Sequence, residues 1–542
     1  MLQKKIVLKS GWLHFPIGRD VPRYYVQFSA DGQQFAELYL GLAPENPDFY
    51  CGMELSGFNG REITLSVAEN APCNLLNGVV EGGDIAADNP LYADLYHEAL
   101  RPRYHFSTKR GWINDPNGLV FDGRNYHLYY QHNPFGILHG GVNIHWGHAV
   151  SPDGIHWVEH SDALRPWTSM RHIASGSCIV DENGIAGYGE GTLIAAFTHL
   201  GSRNFHVMPD EEYPSEGQFL AYSRDGGDSF SLFPDNPVIP SQNGNSWRDP
   251  RLFAHPDGGF GIAVYETTEN GNCVSFYRSN DLHRWEWTAR TDDLYECPDL
   301  FKLTPVNDAR PRWVLYGADG MYRIGDFVNG AFHQEGGRCP MDFGKCTYAG
   351  QTWNGRDDAD GRMHISWLRD ESLSWTNPSS YPGMGFSQCM TVPCLLTLIK
   401  TRDGYRVNRN PVPAIDTLRN GEQRTYSFLR SGELAIHPFL AGDTQLTVSA
   451  RQPVTIRVGD NRMTYVPSTG LIHFDGGADY TLQRKGELHL RFLTDVMSCE
   501  FFLQQEISAS YGIYMKERPI VLSCEDEFSV HGVSYAFSDI WP

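Results

Sequence analysis

Three short motifs in the middle of this 542-residue chain place an acidic residue beside or near a proline. The motifs are WINDPNG at 112–118 with Asp115, WRDP at 247–250 with Asp249, and ECPDLF at 296–301 with Glu296. Proline restricts the backbone around it, so each carboxyl group is expected to have few available positions. A single such aspartate often does no more than hydrogen-bond its own turn. Three of them together favour a catalytic or ligand-binding role.

Two carboxyl groups in different protonation states can cleave a glycosidic bond with retention of configuration. One is ionised and attacks the anomeric carbon, while the other is protonated and donates to the leaving oxygen. Asp115 lies among asparagines and is the better candidate for the ionised group. Glu296 has apolar neighbours and lies beside Cys297, so a raised pKa is expected for it.

The residues around Asp115 predict a β-hairpin. An apolar run at 119–121 is followed by a turn at Asp122-Gly123 and by a second apolar run at 126–130. Strand-forming runs separated by turn residues are typical of hairpins. We therefore expect Asp115 in a tight, proline-stiffened turn at the mouth of this hairpin.

A repeat in the central region predicts a β-propeller. The pattern Ser-x-Asp, closed by an aromatic residue, occurs at 151–157, 223–230 and 279–285, each time between two apolar runs. The starts lie 72 and 56 residues apart (223 − 151 and 279 − 223), spacings that fit four-stranded blades with loop insertions. The loops entering propeller blades converge, so the three acidic motifs could meet in space.

The two ends of the chain also alternate apolar runs with turns, which indicates further β-structure. We predict an all-β chain with a small N-terminal β-sandwich-like domain at 1–100, a catalytic propeller at 101–400 and a C-terminal β-sandwich at 401–542. No functional site is predicted in the N-terminal domain.

Composition restricts the partners. The formal charge of −21, from 44 basic and 65 acidic residues, argues against nucleic acid and anionic membranes. No apolar run reaches the length of a membrane span or a signal peptide. The 11 cysteines lack CxxC spacing and are expected as free thiols in a cytoplasmic protein. Homo-oligomerisation stays possible.

The three motifs in this order resemble glycoside hydrolase family 32, the β-fructosidases that include invertases, inulinases and levanases. The resemblance implies a five-bladed catalytic propeller followed by a β-sandwich, and a carbohydrate substrate. It implies that Asp115 is the nucleophile, that Glu296 is the general acid and base, and that Asp249 holds ring hydroxyls and stabilises the transition state. The candidate substrate-binding residues are Trp112, Asn114, Gln131, Trp146, Ser175 and Arg248.

Neither a cofactor nor a metal ion is expected. His145 and His148 lie three positions apart, so on a strand they face opposite sides and are expected to pack or to contact substrate. Gly141 and Ala174 replace the aromatic residues that relatives carry at the pocket rim, which predicts a wide mouth or one completed by another part of the chain. Two alternatives stay open, namely a fructosyltransferase making fructans or cyclic difructose, and a non-catalytic fructan-binding protein.

Overall fold

The computed structural model describes residues 2–167, 172–200, 216–241, 246–369, 381–516 and 518–542. In this part of the chain nearly all regular structure is β-strand, as predicted, and the helical segments are short 3₁₀ turns. Those turns are Ser56–Phe58, Pro90–Tyr92, Gly141–Asn143 and Pro413–Leu418. Within the same residues there is no helix that is both long and apolar enough to span a membrane.

Two antiparallel sheets form the N-terminal sandwich. Its strands are β1 (Leu2–Val7), β2 (Trp12–Ile17), β3 (Tyr24–Ala30), β4 (Gln33–Leu40), β5 (Phe49–Glu54), β6 (Glu62–Val67) and β7 (Val80–Gly82). One sheet has the order β1-β6-β3-β4 and the other β5-β2-β7. The apolar residues between them form one core, which also buries Phe135 and Ile137 from a loop beyond the sandwich.

Five sheets follow as the blades of the propeller. The strands of the first three are β8 (Gly111–Phe121), β9 (Tyr126–Asn133), β10 (His145–Ser151), β11 (Val158–Glu159), β12 (Ile173–Asp181), β13 (Thr192–His199), β14 (Gly217–Ser223), β15 (Ser231–Leu232), β16 (Ile239–Pro240), β17 (Trp247–Ala254), β18 (Phe260–Thr268), β19 (Gly271–Ser279) and β20 (Glu286–Asp292). The predicted hairpin is β8 and β9, and each Ser-x-Asp repeat begins at the end of the third strand of its blade, at Ser151, Ser223 and Ser279.

The strands that follow are β21 (Asp299–Leu303), β22 (Arg312–Tyr316), β23 (Met321–Val328), β24 (Ala331–Pro340), β25 (Thr347–Thr352), β26 (Arg362–Leu368), β27 (Phe386–Ser387), β28 (Cys389–Met390), β29 (Cys394–Thr401) and β30 (Gly404–Pro411). All of them except β27 belong to the last two blades. Strand β27 runs parallel to β8 and so joins the first blade. The fifth sheet extends past the domain limit predicted at residue 400.

The first strands of the five blades contact one another in order around the propeller. The contacts are Asn117 with Gly176, Ser177 with Leu252, Arg251 with Asp299, Asp299 with Thr352, and Leu119 with Asn354. Each is a hydrogen bond or an ion pair between residues in or directly after the first strands of two blades. Groups carried on these strands therefore face a shared centre.

The C-terminal sandwich is one long sheet folded over a single apolar core. Its strands are β31 (Arg419–Ile436), β32 (Gly442–Ala450), β33 (Val454–Val458), β34 (Asn461–Val466), β35 (Leu471–Phe474), β36 (Tyr480–Thr481), β37 (Leu488–Asp495), β38 (Ser498–Leu503), β39 (Ile507–Tyr511) and β40 (Ile520–Phe537). Strand β40 pairs with β33 along its first part and with β32 along its last part, which brings the two halves together.

A buried charged network joins the propeller to the C-terminal sandwich. The ring nitrogens of His105 lie 2.9 Å from Asp495 and 3.0 Å from Glu500. Arg409 lies 3.2 Å from both Asp342 and Glu500. Burial alone would lower the pKa of His105, but the two carboxylates raise it to about 9, so this histidine is charged at neutral pH.

Candidate active site

Asp115 lies in a β-bulge within β8, not in the tight turn that the sequence predicted. Ile113 pairs with His132 and Pro116 pairs with Tyr130, so Asn114 and Asp115 lie opposite Gln131 alone. A bulge of this kind turns side chains away from the regular alternation of the strand and is common beside active sites. The proline after Asp115 thus lies inside a strand, at an irregularity of its pairing.

The same two-residue bulge occurs in the first strand of three other blades. The pairing of the strands skips at Ala174-Ser175 in β12, Asp249-Pro250 in β17 and Ala349-Gly350 in β25. Repetition of one irregularity at one level of the propeller directs these residues toward a common site. The fourth blade contributes Glu296 and Cys297 just before its first strand, β21.

Asp115 is held by residues of two other blades. Ser175 donates its hydroxyl hydrogen to Asp115 Oδ2 over 2.7 Å, and the Cys297 thiol lies 3.7 Å from the same oxygen. Among the described residues, no donor pairs with the buried Oδ1 atom. Burial raises the pKa of Asp115, hydrogen bonds from Ser175 and Asn114 oppose the rise, and the charge of Glu296 adds to it.

Asp249 has a left-handed backbone, with φ of +64°, which is unusual for a residue that carries a side chain. Its amide donates to Thr198 Oγ1 over 3.0 Å, and its carboxylate accepts the Cys297 amide hydrogen over 3.1 Å. Cys297 therefore contacts both aspartates. Strained backbone is retained at functional sites when surrounding contacts fix it.

The pKa of Asp249 is raised to about 7. Burial is the largest cause, since it removes the charged form from water. Arg248, whose Nε atom lies 3.6 Å from the carboxylate, opposes the rise, whereas the charges of Glu296 and Asp115 add to it.

Glu296 has charged and polar partners that its apolar sequence neighbours did not indicate. Arg248 forms an ion pair with Glu296 Oε1, and the Tyr348 hydroxyl donates to Oε2. The Glu296 backbone is also left-handed, with φ of +48°. Burial and the Glu296 carboxylate raise the pKa of Tyr348, which keeps its hydroxyl protonated and able to donate.

Each predicted substrate-binding residue lies on the first two blades or on β17. Trp112, which is fully buried, donates its indole hydrogen to Asn114 over 2.8 Å. Trp146 donates to the Ala174 carbonyl over 3.1 Å. Gln131 is buried opposite the Asp115 bulge, and its Nε2 atom lacks a hydrogen-bond partner among the described residues. An amide in that position can bind a sugar hydroxyl.

The sequence reasoning missed three residues that hold the three acidic residues in place. Cys297 and Thr198 hydrogen-bond the aspartates, and Tyr348 binds Glu296. Cys297 lies within one of the three motifs, so its position beside Glu296 was a usable signal. Thr198 lies in an ordinary apolar strand, and nothing in its sequence neighbourhood marks it.

The N-terminal sandwich contacts the loop that carries Gly141. In the 3₁₀ turn Gly141–Asn143, the Asn143 side chain accepts the Tyr39 amide hydrogen over 2.9 Å and donates to the Tyr39 carbonyl over 2.8 Å. Gly141 has φ of +54°, so its small size suits a left-handed backbone. Ala174 is buried. The edge strand β4 thus supports this part of the propeller.

More than half of the chain matches a known protein family. Residues 105–411 match the family model described as the glycosyl hydrolases family 32 N-terminal domain. A levanase of Bacillus subtilis (strain 168) is 30% identical over 409 residues, covering 68% of this chain and 57% of that protein. An invertase of Wickerhamomyces anomalus is 33% identical over 316 residues, covering 53% of this chain and 55% of that protein. The chain therefore spans little more than half the length of these relatives.

Solved structures share the fold. An exo-inulinase structure from Aspergillus awamori superposes with a TM-score of 0.70 at 22% identity, covering 82% of this chain and 100% of that chain. A fructan 1-exohydrolase IIa from Cichorium intybus gives a TM-score of 0.65 at 21% identity, covering 82% of this chain and 98% of that chain. At these identities the likeness concerns the arrangement of strands.

Proposed function

The chain belongs to glycoside hydrolase family 32, and from this membership we propose that it is a retaining β-fructosidase. Its substrates are fructo-oligosaccharides, fructans or sucrose, from which it hydrolyses terminal β-D-fructofuranosyl residues through a covalent fructosyl-enzyme intermediate. The levanase and invertase relatives support a substrate of this class. The exo-inulinase is consistent with it in fold.

One observation carries the proposal, namely that the three carboxyl groups share contacts although they come from three blades. Cys297 contacts both aspartates, and Arg248 lies between Asp249 and Glu296. Retaining glycosidases need a nucleophile and a proton donor close enough to act on one bond. A purely structural role would not explain why three carboxyl groups, each buried or half-buried, share contacts, with one arginine beside them.

In the first step Asp115 attacks the anomeric carbon of the fructosyl unit, and Glu296 gives its proton to the leaving oxygen. In the second step Glu296 removes a proton from water, and the water oxygen attacks the anomeric carbon. The bond from that carbon to Asp115 breaks, which releases fructose and restores the Asp115 carboxylate. Tyr348 and Arg248 hold the Glu296 carboxylate in position between the two steps.

Asp249 binds two ring hydroxyls and stabilises the positive charge that develops on the sugar. Its carboxylate is fixed by the Cys297 amide on one side and by Arg248 on the other. A preorganised charge in a buried site is worth more than one in water, because little reorganisation is needed when the sugar becomes cationic.

We expect this chain to prefer longer substrates, because the N-terminal sandwich supports a pocket rim that lacks aromatic walls. Small residues at positions 141 and 174 remove aromatic walls, which normally contact and orient the first sugars. Contacts further out then matter more, and β4 stands behind the rim at Asn143. We expect kcat/KM for trisaccharides and longer β-fructans to exceed that for sucrose, and a clear preference for sucrose would contradict this.

The test is to incubate the purified chain with sucrose, inulin and levan and to separate the products by chromatography. Fructose as the dominant product supports the proposal. Longer fructans or cyclic difructose would assign a transferase, and binding without turnover would assign a fructan-binding protein. Asp115→Asn is the control, since it should keep the fold and lose turnover by about 10⁴-fold or more. A folded variant with near-normal turnover would exclude Asp115 as the nucleophile.

A further inference from the structure

Three side chains come together where the first two blades of the propeller meet, outside the three-carboxyl site. His148 lies in β10 and His160 follows β11, both in the first blade, whereas Asp228 lies between β14 and β15 of the second blade. Each offers a ligand atom, and these atoms lie within 4.8 Å of one another. We propose that this cluster binds a Zn²⁺ ion that joins the two blades.

The distances suit a metal ion after small side-chain rotations. His160 Nδ1 lies 2.7 Å from Asp228 Oδ1, and His148 Nδ1 lies 3.7 Å from the same oxygen. Tetrahedral zinc with bonds of about 2.1 Å separates its ligands by about 3.4 Å. His160 and Asp228 are at the surface and can rotate, while the backbone amide of His160 is fixed by the His148 carbonyl over 2.9 Å.

Two contacts behind His148, one with a carboxylate and one hydrogen bond, favour a free lone pair on its Nδ1 atom. His127 Nε2 lies 3.3 Å from Asp122 Oδ2, and this carboxylate favours a proton on that nitrogen. His127 Nδ1 must then accept, so the hydrogen of the 3.0 Å contact with His148 belongs to His148 Nε2. His148 Nδ1 is therefore unprotonated and carries a lone pair.

That lone pair faces a carboxylate oxygen. His148 is fully buried, and its Nδ1 atom has no hydrogen-bond partner among the described residues. Two electron-rich atoms 3.7 Å apart, one of them wholly buried, repel each other unless a cation lies between them. The pairing of Asp122 with His127 behind His148 also resembles the outer contacts that orient metal-binding histidines.

Two imidazoles and one carboxylate suit a zinc ion, with water in the fourth position. The ion would connect positions 148 and 228, which lie 80 residues apart (228 − 148). A link across such a distance limits how far the two blades can separate. The Tyr129 hydroxyl, which donates to the Gly227 carbonyl over 2.9 Å, already joins the same two blades.

The experiment titrates zinc chloride into the full chain after removal of metal with a chelator, using calorimetry. We expect one equivalent of Zn²⁺ to bind and the thermal unfolding midpoint to rise. His160→Ala and Asp228→Asn should each weaken binding by at least about tenfold, and Asp122→Asn by about tenfold through the orientation of His148. Cobalt in place of zinc should give the intense visible bands of a four-coordinate ion in the unmodified chain but not in His160→Ala or Asp228→Asn.

The control is His156→Ala. His156 Nδ1 lies 2.8 Å from Asp153 Oδ2, an exposed pair like His160 with Asp228. This variant should bind zinc as the unmodified chain does. The proposal is overturned if the metal-free chain takes up no Zn²⁺, or if His160→Ala and His156→Ala bind it equally. All four variants alter residues at least partly exposed, so each is expected to fold.

Discussion

Replacing Asp249 by asparagine should remove activity and yet stabilise the folded chain at neutral pH. The folded site raises the pKa of this carboxyl from 3.8 to about 7, chiefly through burial. Because the folded state favours the protonated form, stability falls as pH rises from 3.8 to 7. At about 1.4 kcal/mol for each pKa unit, the ionised group costs roughly 4 kcal/mol above pH 7.

Asparagine keeps the shape of the side chain and an oxygen that can accept the Cys297 amide hydrogen, but it has no charge to bury. The variant should therefore be more stable than the unmodified chain by up to about 4 kcal/mol at pH 8 and by less than about 2 kcal/mol at pH 5. Its kcat should fall by about 10² to 10³, as when one electrostatic stabiliser of a transition state is removed.

Urea unfolding followed by tryptophan fluorescence, at several pH values between 5 and 8, measures the gain. Asp153→Asn is the control. Partial burial acts to raise the pKa of Asp153, but hydrogen bonds from the amide and the ring of His156 lower it. Replacing this carboxylate should therefore not stabilise the chain. If Asp249→Asn is less stable than the unmodified chain at pH 8, or if its gain is the same at pH 5 and pH 8, the reasoning is refuted.

Three further predictions concern the proton donor, metals and the interface between propeller and sandwich. Glu296→Gln should lose most of the rate on substrates with poor leaving groups, whereas an activated aryl fructoside, which needs little protonation, should recover part of the first step. Equal losses on both substrates would exclude the role. Removing metal ions with a chelator should leave kcat/KM unchanged, because the carboxyl groups supply the chemistry, even if the unfolding midpoint falls. A loss of activity on chelation that a divalent ion restores would contradict this. The pKa of His105, raised to about 9 by Asp495 and Glu500, adds stability that is complete below pH 6.5 and is lost as pH rises through 9. The stability that His105→Gln loses should therefore shrink between pH 6 and pH 10 in urea unfolding, and a constant difference would show that the histidine is not charged.

The elements of the fold were predictable because their signals are local. Alternating apolar residues and turn residues identify strands such as β3, β4 and β6 and the hairpin of β8 and β9. The Ser-x-Asp repeat marks the same connection in three blades, since the serine hydroxyl accepts backbone amide hydrogens of the turn that follows each third strand.

The finer geometry of the site was not predictable, because it depends on pairing between distant residues. The bulge at Asp115 arises from the pairing of β8 with β9. The motif WINDPNG alone is equally consistent with a turn. Arg248 reaches Glu296 from another blade, 48 residues away. The cluster of His148, His160 and Asp228 likewise forms only when two blades pack. Nothing local in the sequence indicates this contact, which is why the sequence predicts only packing or a substrate contact for His148.

The apolar core of the N-terminal sandwich bears on how this arrangement can be exchanged between proteins. Phe135 and Ile137 belong to the propeller loop but complete that core, and Asn143 covers the open edge of β4. If the sandwich were transferred to a relative that lacks this loop, its core would contain two cavities and the edge strand β4 would be exposed. Deleting the sandwich would expose the apolar side chains of Phe135 and Ile137 to water. The sandwich and the loop at 134–144 therefore form one structural unit, and an engineered exchange should move both together.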